Sequence, residues 1–176
     1  SRLCQQAGVT LHSDAVQVVG QLPITELLPL PVDLLSLSAH KFQGPRGVGA
    51  LVMPKPLTLQ PQVLGGEQES GLRSGTESPW LVAAMVDALE LRFQKQPKLA
   101  ESMAELRDGL WRQLTSVCGI ERVGSWNRSD CLPHHLAVVL SSTRGQPLSA
   151  RAAVRQLAQA GVAVSSGSAC SSGKDQ

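Results

Sequence analysis

The chain has 176 residues, of which 42% are hydrophobic, so it can bury the core of one domain, or of one domain and part of another. Its 16 basic and 14 acidic residues give a formal charge of +2, a balance that argues against nucleic acid or a membrane surface as a partner. No run approaches the roughly 18 apolar residues of a membrane span, and residues 1–6 lack the apolar segment of a signal peptide, so we expect a cytoplasmic protein.

Apolar periodicity and turn residues predict helices and strands in the order of an α/β protein. The predicted strands are residues 9–14, 32–38, 47–53, 120–123, 136–140 and 162–164. The predicted helices are residues 3–7, 79–96, 99–117 and 150–160. The first helix begins in mid-pattern, which suggests that an upstream portion precedes it. The strand, strand, helix, strand order near the end indicates a second, smaller unit, and we expect two domains at residues 1–96 and 97–176.

The two central helices are predicted from their caps and apolar stripes. Ser78 is a plausible N-cap, with Pro79 at the first helical position. Pro97 should separate the two helices, because proline lacks the N–H that a helix interior needs. The expected core positions on these helices include Leu91, Met103, Leu106, Leu110 and Leu114.

The four cysteines do not predict a metal centre. Cys4, Cys118, Cys131 and Cys170 show no CxxC spacing, which argues against a zinc cluster, so we expect no metal. Cys4 and Cys118 lie in apolar helical patterns and are expected to be core thiols. Cys131 falls in a loop.

A chemically distinctive group of side chains follows the second strand. Ser38, His40 and Lys41 end an apolar run and precede a glycine-rich turn at residues 44–49. Side chains two apart share one face of a strand, so Ser38 and His40 should point together. Strand ends of parallel α/β sheets bind ligands, and an amine at such an end can act as a nucleophile. The alternative is a lysine that simply lies on the surface after a strand.

Asp14 and Gln17 close the first strand in a similar way. If the first two strands are neighbours, one ligand could meet both Asp14 and Lys41. A carboxylate facing a ring nitrogen and a lysine facing an aldehyde is the arrangement that pyridoxal phosphate needs. Asp14 has an alternative role as the cap of the following turn.

A phosphate group would find further donors in the loop at residues 65–76. Thr76 supplies a hydroxyl next to the N-terminal end of a helix, and Arg73 supplies a cation. A solvated loop with an ordinary cap would use the same residues.

The last part of the chain carries an exposed nucleophile. Residues 165–173 contain only Ser, Gly, Ala and Cys170. Such a segment has little to pack, so we expect a mobile loop and an accessible thiol. The alternative is a linker with an incidental cysteine.

Together these segments resemble the cysteine desulfurases, which are pyridoxal-phosphate enzymes of the class V aminotransferase group. The matching segments are His12-Ser13-Asp14-Ala15-Val16-Gln17, Ser38-Ala39-His40-Lys41 with Gly44-Pro45-Arg46-Gly47-Val48-Gly49, Arg73-Ser74-Gly75-Thr76 and Ser165-Ser166-Gly167-Ser168-Ala169-Cys170. The Ser-Ser-Gly-x-x-Cys form resembles the group I branch of that family. A family-typical asparagine is replaced by His135.

The resemblance implies a role for each matching residue. Lys41 would hold the cofactor as a Schiff base and Cys170 would accept sulfur as a persulfide. Independently of the resemblance, a nearby imidazole or ammonium favours a thiolate, and His40 and Lys41 are the candidates for Cys170. Asp14 would face the pyridine nitrogen and Gln17 the ring hydroxyl. The phosphate would be held by a further set: Ser38, His40 and, from the partner subunit of a homodimer, Thr76.

The resemblance also implies the fold and the reaction. The fold would be an incomplete fold type I transferase, in which residues 1–96 form the C-terminal half of the large cofactor-binding α/β domain and residues 97–176 the small C-terminal α/β domain. The reaction would convert L-cysteine to L-alanine and pass sulfur to an acceptor or iron–sulfur scaffold protein. The alternatives are a selenocysteine lyase, another class V aminotransferase, or a non-catalytic remnant of the fold.

Overall fold

The computed structural model describes residues 1–23, 25, 32–53, 57–125 and 127–167, and the chain divides into two compact units, Ser1–Ser102 and Met103–Gln176. The strands are β1 (His12–Asp14), β2 (Leu34–Ser38), β3 (Gly49–Val52), β4 (Ile120–Val123) and β5 (Ala137–Leu140). The helices are α1 (Arg2–Gln6), α2 (Pro79–Leu114) and α3 (Ala150–Gln159). The mixture of helices and strands confirms the predicted α/β class. No helix in these described ranges has the length and apolar character to cross a membrane.

The first unit contains a three-stranded sheet in the order β1-β2-β3. β1 runs parallel to β2, with Asp14 opposite Ser36, so the two strands are neighbours, which was the condition for one ligand to meet both strand ends. β3 runs antiparallel to β2, with Ser38 opposite Gly49. The carboxyl ends of β1 and β2 therefore lie at one edge of the sheet, and Asp14 and Ser38 both lie at that edge.

The core of the first unit lies between the sheet and α2. Its buried members are Ala15, Val19, Ala39 and Phe42. Met85, Ala88 and Leu89 of α2 pack against them from the helix side. Two of the four buried residues directly follow strand ends, so the core also holds the segments that carry Asp14 and Lys41.

The central helical region is one helix and not the predicted pair. α2 continues from Pro79 through Pro97 to Leu114. Pro97 removes one N–H donor, which leaves the carbonyl of Phe93 without its usual helical partner. That loss is local, and the apolar contacts and hydrogen bonds on either side of Pro97 keep both segments helical. The prediction that Pro97 ends a helix was wrong.

The buried side of α2 also differs from the predicted stripe. The expected core residues Leu91, Met103, Leu106 and Leu110 are 53%, 38%, 70% and 51% exposed. Arg92 and Gln96 are buried in the first unit, and Ala104 and Arg107 in the second. The arginines are buried because their guanidinium groups find carbonyl and carboxylate acceptors, which compensates for the lost hydration.

The second unit pairs β4 with β5 as an antiparallel ladder in which Ile120 lies opposite Leu140. α3 begins as predicted, because the Ser149 side chain accepts a hydrogen bond from the Ala152 N–H at 3.3 Å. It ends before Gly161, which has a positive φ of 80°. The predicted strand at 162–164 is not formed, since no strand in the described part of this unit pairs with it.

The predicted core role of Cys118 was wrong. α2 ends at Leu114, so Cys118 falls in the following turn and is exposed. Cys4 and Cys131 are half-buried. Arg107 donates a hydrogen bond from Nη1 to the Cys131 sulfur at 3.3 Å and to the Leu132 carbonyl at 3.0 Å.

An ion-pair cluster gives the second unit a pH-dependent contact. The Asp108 carboxylate accepts hydrogen bonds from Arg107 at 2.8 Å and from Arg128 at 2.6 and 2.9 Å. The Arg107 side chain is only 3% exposed, so the Asp108 carboxylate compensates a positive charge that is buried. These bonds from Arg107 and Arg128 hold the pKa of Asp108 below its ordinary value of 3.8.

We expect Asp108→Asn to lower stability at pH 7 by roughly 1.5–3 kcal/mol, because it removes the charge-assisted bonds to Arg107. A carboxylate with a lowered folded-state pKa stabilises the protein above about pH 4, and this contribution is lost as the pH falls through the folded-state pKa. The difference in the free energy of unfolding between wild type and Asp108→Asn should therefore be smaller at pH 3 than at pH 7, as measured by thermal unfolding. Asp87→Asn, an exposed acid on the same helix, is the control. A difference that stays constant with pH would contradict the assignment.

Candidate functional site

The end of β2 brings two of the predicted residues into contact. β2 ends at Ser38, and a short 3-10 helix, Ala39–Phe42, follows it. A hydrogen bond of 2.9 Å joins Ser38 Oγ to His40 Nδ1. The predicted strand alternation does not produce this contact, because His40 already belongs to the 3-10 helix. The pair still presents a hydroxyl and an imidazole together at the edge of the sheet.

Lys41 lies in a short segment whose backbone is held in place by two buried residues. Ala39 and Phe42 are 0% and 1% exposed, so the backbone on both sides of Lys41 is held in the core. The Ala39 N–H donates to the Val48 carbonyl at 3.2 Å, which ties this segment to the start of β3. Lys41 is half-buried. The Lys41 side chain therefore extends from a backbone segment that is held in the core. This segment lies at the edge of the sheet where Ser38 ends β2.

Asp14 lies at the same edge of the sheet, and one of its two carboxylate oxygens accepts a hydrogen bond. Its Oδ1 accepts a hydrogen bond from the Val16 N–H at 3.0 Å, so Asp14 caps the turn that follows β1. Its Oδ2 has no partner among the described residues, and the side chain is exposed. From strand spacing and register, the Cα atoms of Asp14 and Ser38 are roughly 8 Å apart. A small ligand at this edge can reach both residues.

The face of the sheet that carries Asp14 holds two further polar residues that the sequence analysis missed. His12 Nε2 and Ser36 Oγ form a hydrogen bond of 2.7 Å across β1 and β2. His12 precedes Asp14 by two residues, and Ser36 precedes Ser38 by two, so each shares a strand face with a predicted site residue. That spacing was the signal in the sequence.

A surface pocket at the sheet edge adds Arg46 to the site. The pocket is lined by Ser38, His40, Arg46, Gly47, Val48 and Gly49. In the sequence, Arg46 is marked only by its place in the glycine-rich turn. A cation beside a hydroxyl and an imidazole makes this pocket suitable for an anionic group.

The other predicted residues are not brought into direct contact. Gln17 is exposed in the turn after β1, and Thr76 is exposed in the loop before α2. Within the described ranges, no hydrogen bond joins either residue to Ser38 or His40. Arg73 donates to the Ser74 carbonyl at 2.8 Å, so it orders its own loop. Cys170 lies outside the described residues.

Chemically, this sheet edge can hold three different groups. Ser38 and His40 provide donors for a phosphate, and Lys41 provides an amine for an aldehyde. The free Asp14 oxygen can accept a hydrogen bond from a protonated ring nitrogen. The donor set therefore fits a small aromatic aldehyde with a phosphate arm.

Comparison with known proteins assigns the chain to a family. The model of the family "Aminotransferase class-V" matches residues 1–174. A cysteine desulfurase of Rhodobacter capsulatus is 38% identical over 167 residues, which cover 95% of this chain and 41% of that protein. The cysteine desulfurase IscS of Dictyoglomus turgidum is 38% identical over 173 residues, which cover 98% of this chain and 42% of that protein.

Solved structures are also similar to this chain. The NifS-like protein of Rickettsia africae superposes with a TM-score of 0.80 at 26% identity, covering 95% of this chain and 44% of that one. The chain thus spans about two fifths of the length of the curated relatives it matches. The resemblance noted in the sequence is confirmed, and the fold agrees with an incomplete transferase domain. This chain belongs to the class V aminotransferase family.

Proposed function

We propose that the protein containing these residues is a pyridoxal-phosphate-dependent cysteine desulfurase. It would convert L-cysteine to L-alanine and pass the sulfur, as a cysteine persulfide, to an iron–sulfur scaffold or another acceptor protein. The observation that carries the proposal is the sheet edge, where the Ser38–His40 pair and Lys41 follow β2 and Asp14 ends the parallel neighbour β1. The similarity to cysteine desulfurases supports the substrate.

The cofactor would be held by the residues of this edge. Ser38 and His40 would bind its phosphate, and Lys41 would attach to its aldehyde. Asp14 would accept a hydrogen bond from the ring nitrogen, and Gln17 would contact the ring hydroxyl. When bound, pyridoxal phosphate supplies an electron sink for the bonds at the substrate Cα.

The remaining steps belong to side chains of the chain itself. Asp14 would favour the protonated form of the ring nitrogen through a charge-assisted hydrogen bond. Lys41 would move a proton at the substrate Cα, since the backbone that carries its side chain is flanked by the buried residues Ala39 and Phe42. The Ser38 contact orients the His40 ring, so the ring can present its other nitrogen to the phosphate.

Cys170 would act as the sulfur acceptor. Its thiolate forms an S–S bond with the substrate sulfur while the Cβ–S bond breaks, and the electron pair of that bond, with a proton, completes alanine. We take His40 and Lys41 as the imidazole and ammonium groups that would favour this thiolate. We further propose a cytoplasmic homodimer in which Thr76 reaches the phosphate bound to the partner subunit.

We expect Cys170→Ser in the complete protein to abolish sulfur transfer and leave cofactor binding intact, because a hydroxyl cannot carry a persulfide. Alanine formation from cysteine is the activity readout, and the visible absorbance of the bound cofactor is the binding readout. Mass spectrometry of the cysteine-treated wild type should find one extra sulfur on the Cys170 peptide.

Cys118→Ser is the matched control, because Cys118 is an exposed thiol that the proposal does not use. It should behave like wild type. Full alanine production by Cys170→Ser would exclude Cys170 as the sulfur acceptor. Conversion of cysteine to its keto acid, independent of Cys170, would instead indicate another class V aminotransferase. Selenocysteine turnover without cysteine turnover would instead indicate a selenocysteine lyase.

A further inference from the structure

A buried arginine on α2 holds the turn that follows β1. Arg92 is 8% exposed, and its Nε donates a hydrogen bond to the Gly20 carbonyl at 2.8 Å. Its Nη2 donates to Gln21 Oε1 at 2.7 Å. Gln96, one helical turn later, donates from Nε2 to the Gln21 carbonyl at 3.0 Å. We call Arg92 and Gln96, with their acceptors at residues 20 and 21, the Arg92 clamp.

The clamp holds one end of a turn whose other end carries the site. At its start, the Ala15 N–H donates to the Ser36 carbonyl at 2.9 Å, and the Val16 N–H donates to Asp14. Between these two points the turn buries Ala15 and Val19 and leaves Asp14 and Gln17 exposed at the sheet edge. The turn is therefore fixed to β2 at one end and to α2 at the other.

Gly20 is where the clamp meets the segment that carries Lys41. Gly20 is buried, and a Cβ placed on it would lie 2.6 Å from Arg92 Cγ and 3.1 Å from Phe42 Cβ. Phe42 directly follows Lys41 and is 1% exposed. The backbone after the Asp14 turn, the Arg92 stem and the residue next to Lys41 thus pack at one point.

Burial of the Arg92 side chain costs free energy, which its contacts must offset. Burial of a guanidinium group removes its hydration, which only hydrogen bonds to the charged group can offset. Arg92 donates two hydrogen bonds, one to a backbone carbonyl and one to a side-chain amide oxygen. None of its partners in the described residues is a carboxylate. Its contacts fix the position of a turn instead of neutralising a charge.

We propose that Arg92 is a positioning residue that sets the placement of Asp14 relative to Lys41. The inference rests on the proposed function, in which both residues contact pyridoxal phosphate. Loss of the clamp lets the turn move away from α2, so Asp14 no longer meets the ring nitrogen while Lys41 holds the aldehyde. The effect on the cofactor is transmitted through Asp14.

The test is a double-mutant cycle on pyridoxal phosphate affinity in the complete protein. Arg92→Met keeps an unbranched apolar stem and removes the guanidinium donors. We expect it to weaken the affinity by roughly tenfold, within the coupling expected for residues that act through one another. In an Asp14→Asn background, Arg92→Met should weaken the affinity by less than about twofold. The charge that Arg92 positions is already missing in that background. Arg92→Lys, which retains one donor, should recover part of the affinity.

Lys95→Met, an exposed position on the same helix, is the control and should leave affinity unchanged in both backgrounds. If Arg92→Met does not fold, Gln96→Leu removes one bond of the clamp and enters the same cycle. An equal loss of affinity with and without Asp14, or no loss beyond the control, would overturn the proposal. Cofactor binding is measured without substrate, so a protein that binds pyridoxal phosphate but does not act on cysteine would disprove the proposed function and leave this test intact.

Discussion

Replacing Lys41 by alanine in the complete protein is expected to abolish covalent attachment of pyridoxal phosphate and to reduce alanine formation by several orders of magnitude. Lys41 lies in the 3-10 helix that follows β2, and the buried residues Ala39 and Phe42 of that helix keep its backbone fixed. Removal of a group that acts in the transition state lowers kcat and kcat/KM together. Borohydride reduction of the wild type, followed by peptide mapping, should find the cofactor label on the Lys41 peptide.

Lys95→Ala is the control for this change, since Lys95 is an exposed lysine on α2. It should retain the label and the activity. Recovery of the label on any lysine other than Lys41 would show that the amine at this sheet edge is not the attachment point. A folded Lys41→Ala protein with wild-type turnover would lead to the same conclusion.

Asp14→Asn is expected to slow the reaction by orders of magnitude while leaving the fold intact. Asparagine can still accept the hydrogen bond from the Val16 N–H, which Asp14 accepts at 3.0 Å, so the turn after β1 keeps its cap. What it loses is the negative charge that would hold a proton on the ring nitrogen, and this loss acts on the transition state. Steady-state kinetics and the absorbance of the bound cofactor would measure the two effects separately.

Asp14→Ala completes the comparison, because it removes the charge and the cap together. The extra loss of stability relative to Asp14→Asn should be about 1 kcal/mol, the usual value of such a cap. If Asp14→Asn turned over cysteine at the wild-type rate and only Asp14→Ala were impaired, Asp14 would have no role beyond capping the turn.

The strand ends were predictable because the signals at those positions are local. Apolar runs that stop at Asp14 and Ser38 mark the ends of β1 and β2, and the structure has these two strands as parallel neighbours. The step from Ser38 to His40 was harder. A four-residue 3-10 helix, Ala39–Phe42, has no periodic signature of its own, so the strand alternation was extended too far.

The course of α2 was less predictable because it depends on partners far away in the sequence. Pro97 is a local signal for a helix end, but contacts on both sides of it preserve the helix. Arg92 was overlooked because a charged side chain in a helix usually marks the solvent face. Its spacing of four residues from Ala88 and seven from Met85 places it in the middle of the buried stripe, and only the acceptors at residues 20 and 21 explain why it can lie there.

The close approach at Gly20 limits how this chain can vary by mutation. Gly8 and Gly145 also have positive φ angles, of 62° and 75°, but a Cβ at either position would meet nothing within 4 Å. Asparagine, which tolerates left-handed backbone, should therefore be accepted at those two positions. At Gly20 every side chain meets the Arg92 stem and Phe42, so one of the least variable positions of this unit should be a glycine that touches neither substrate nor cofactor.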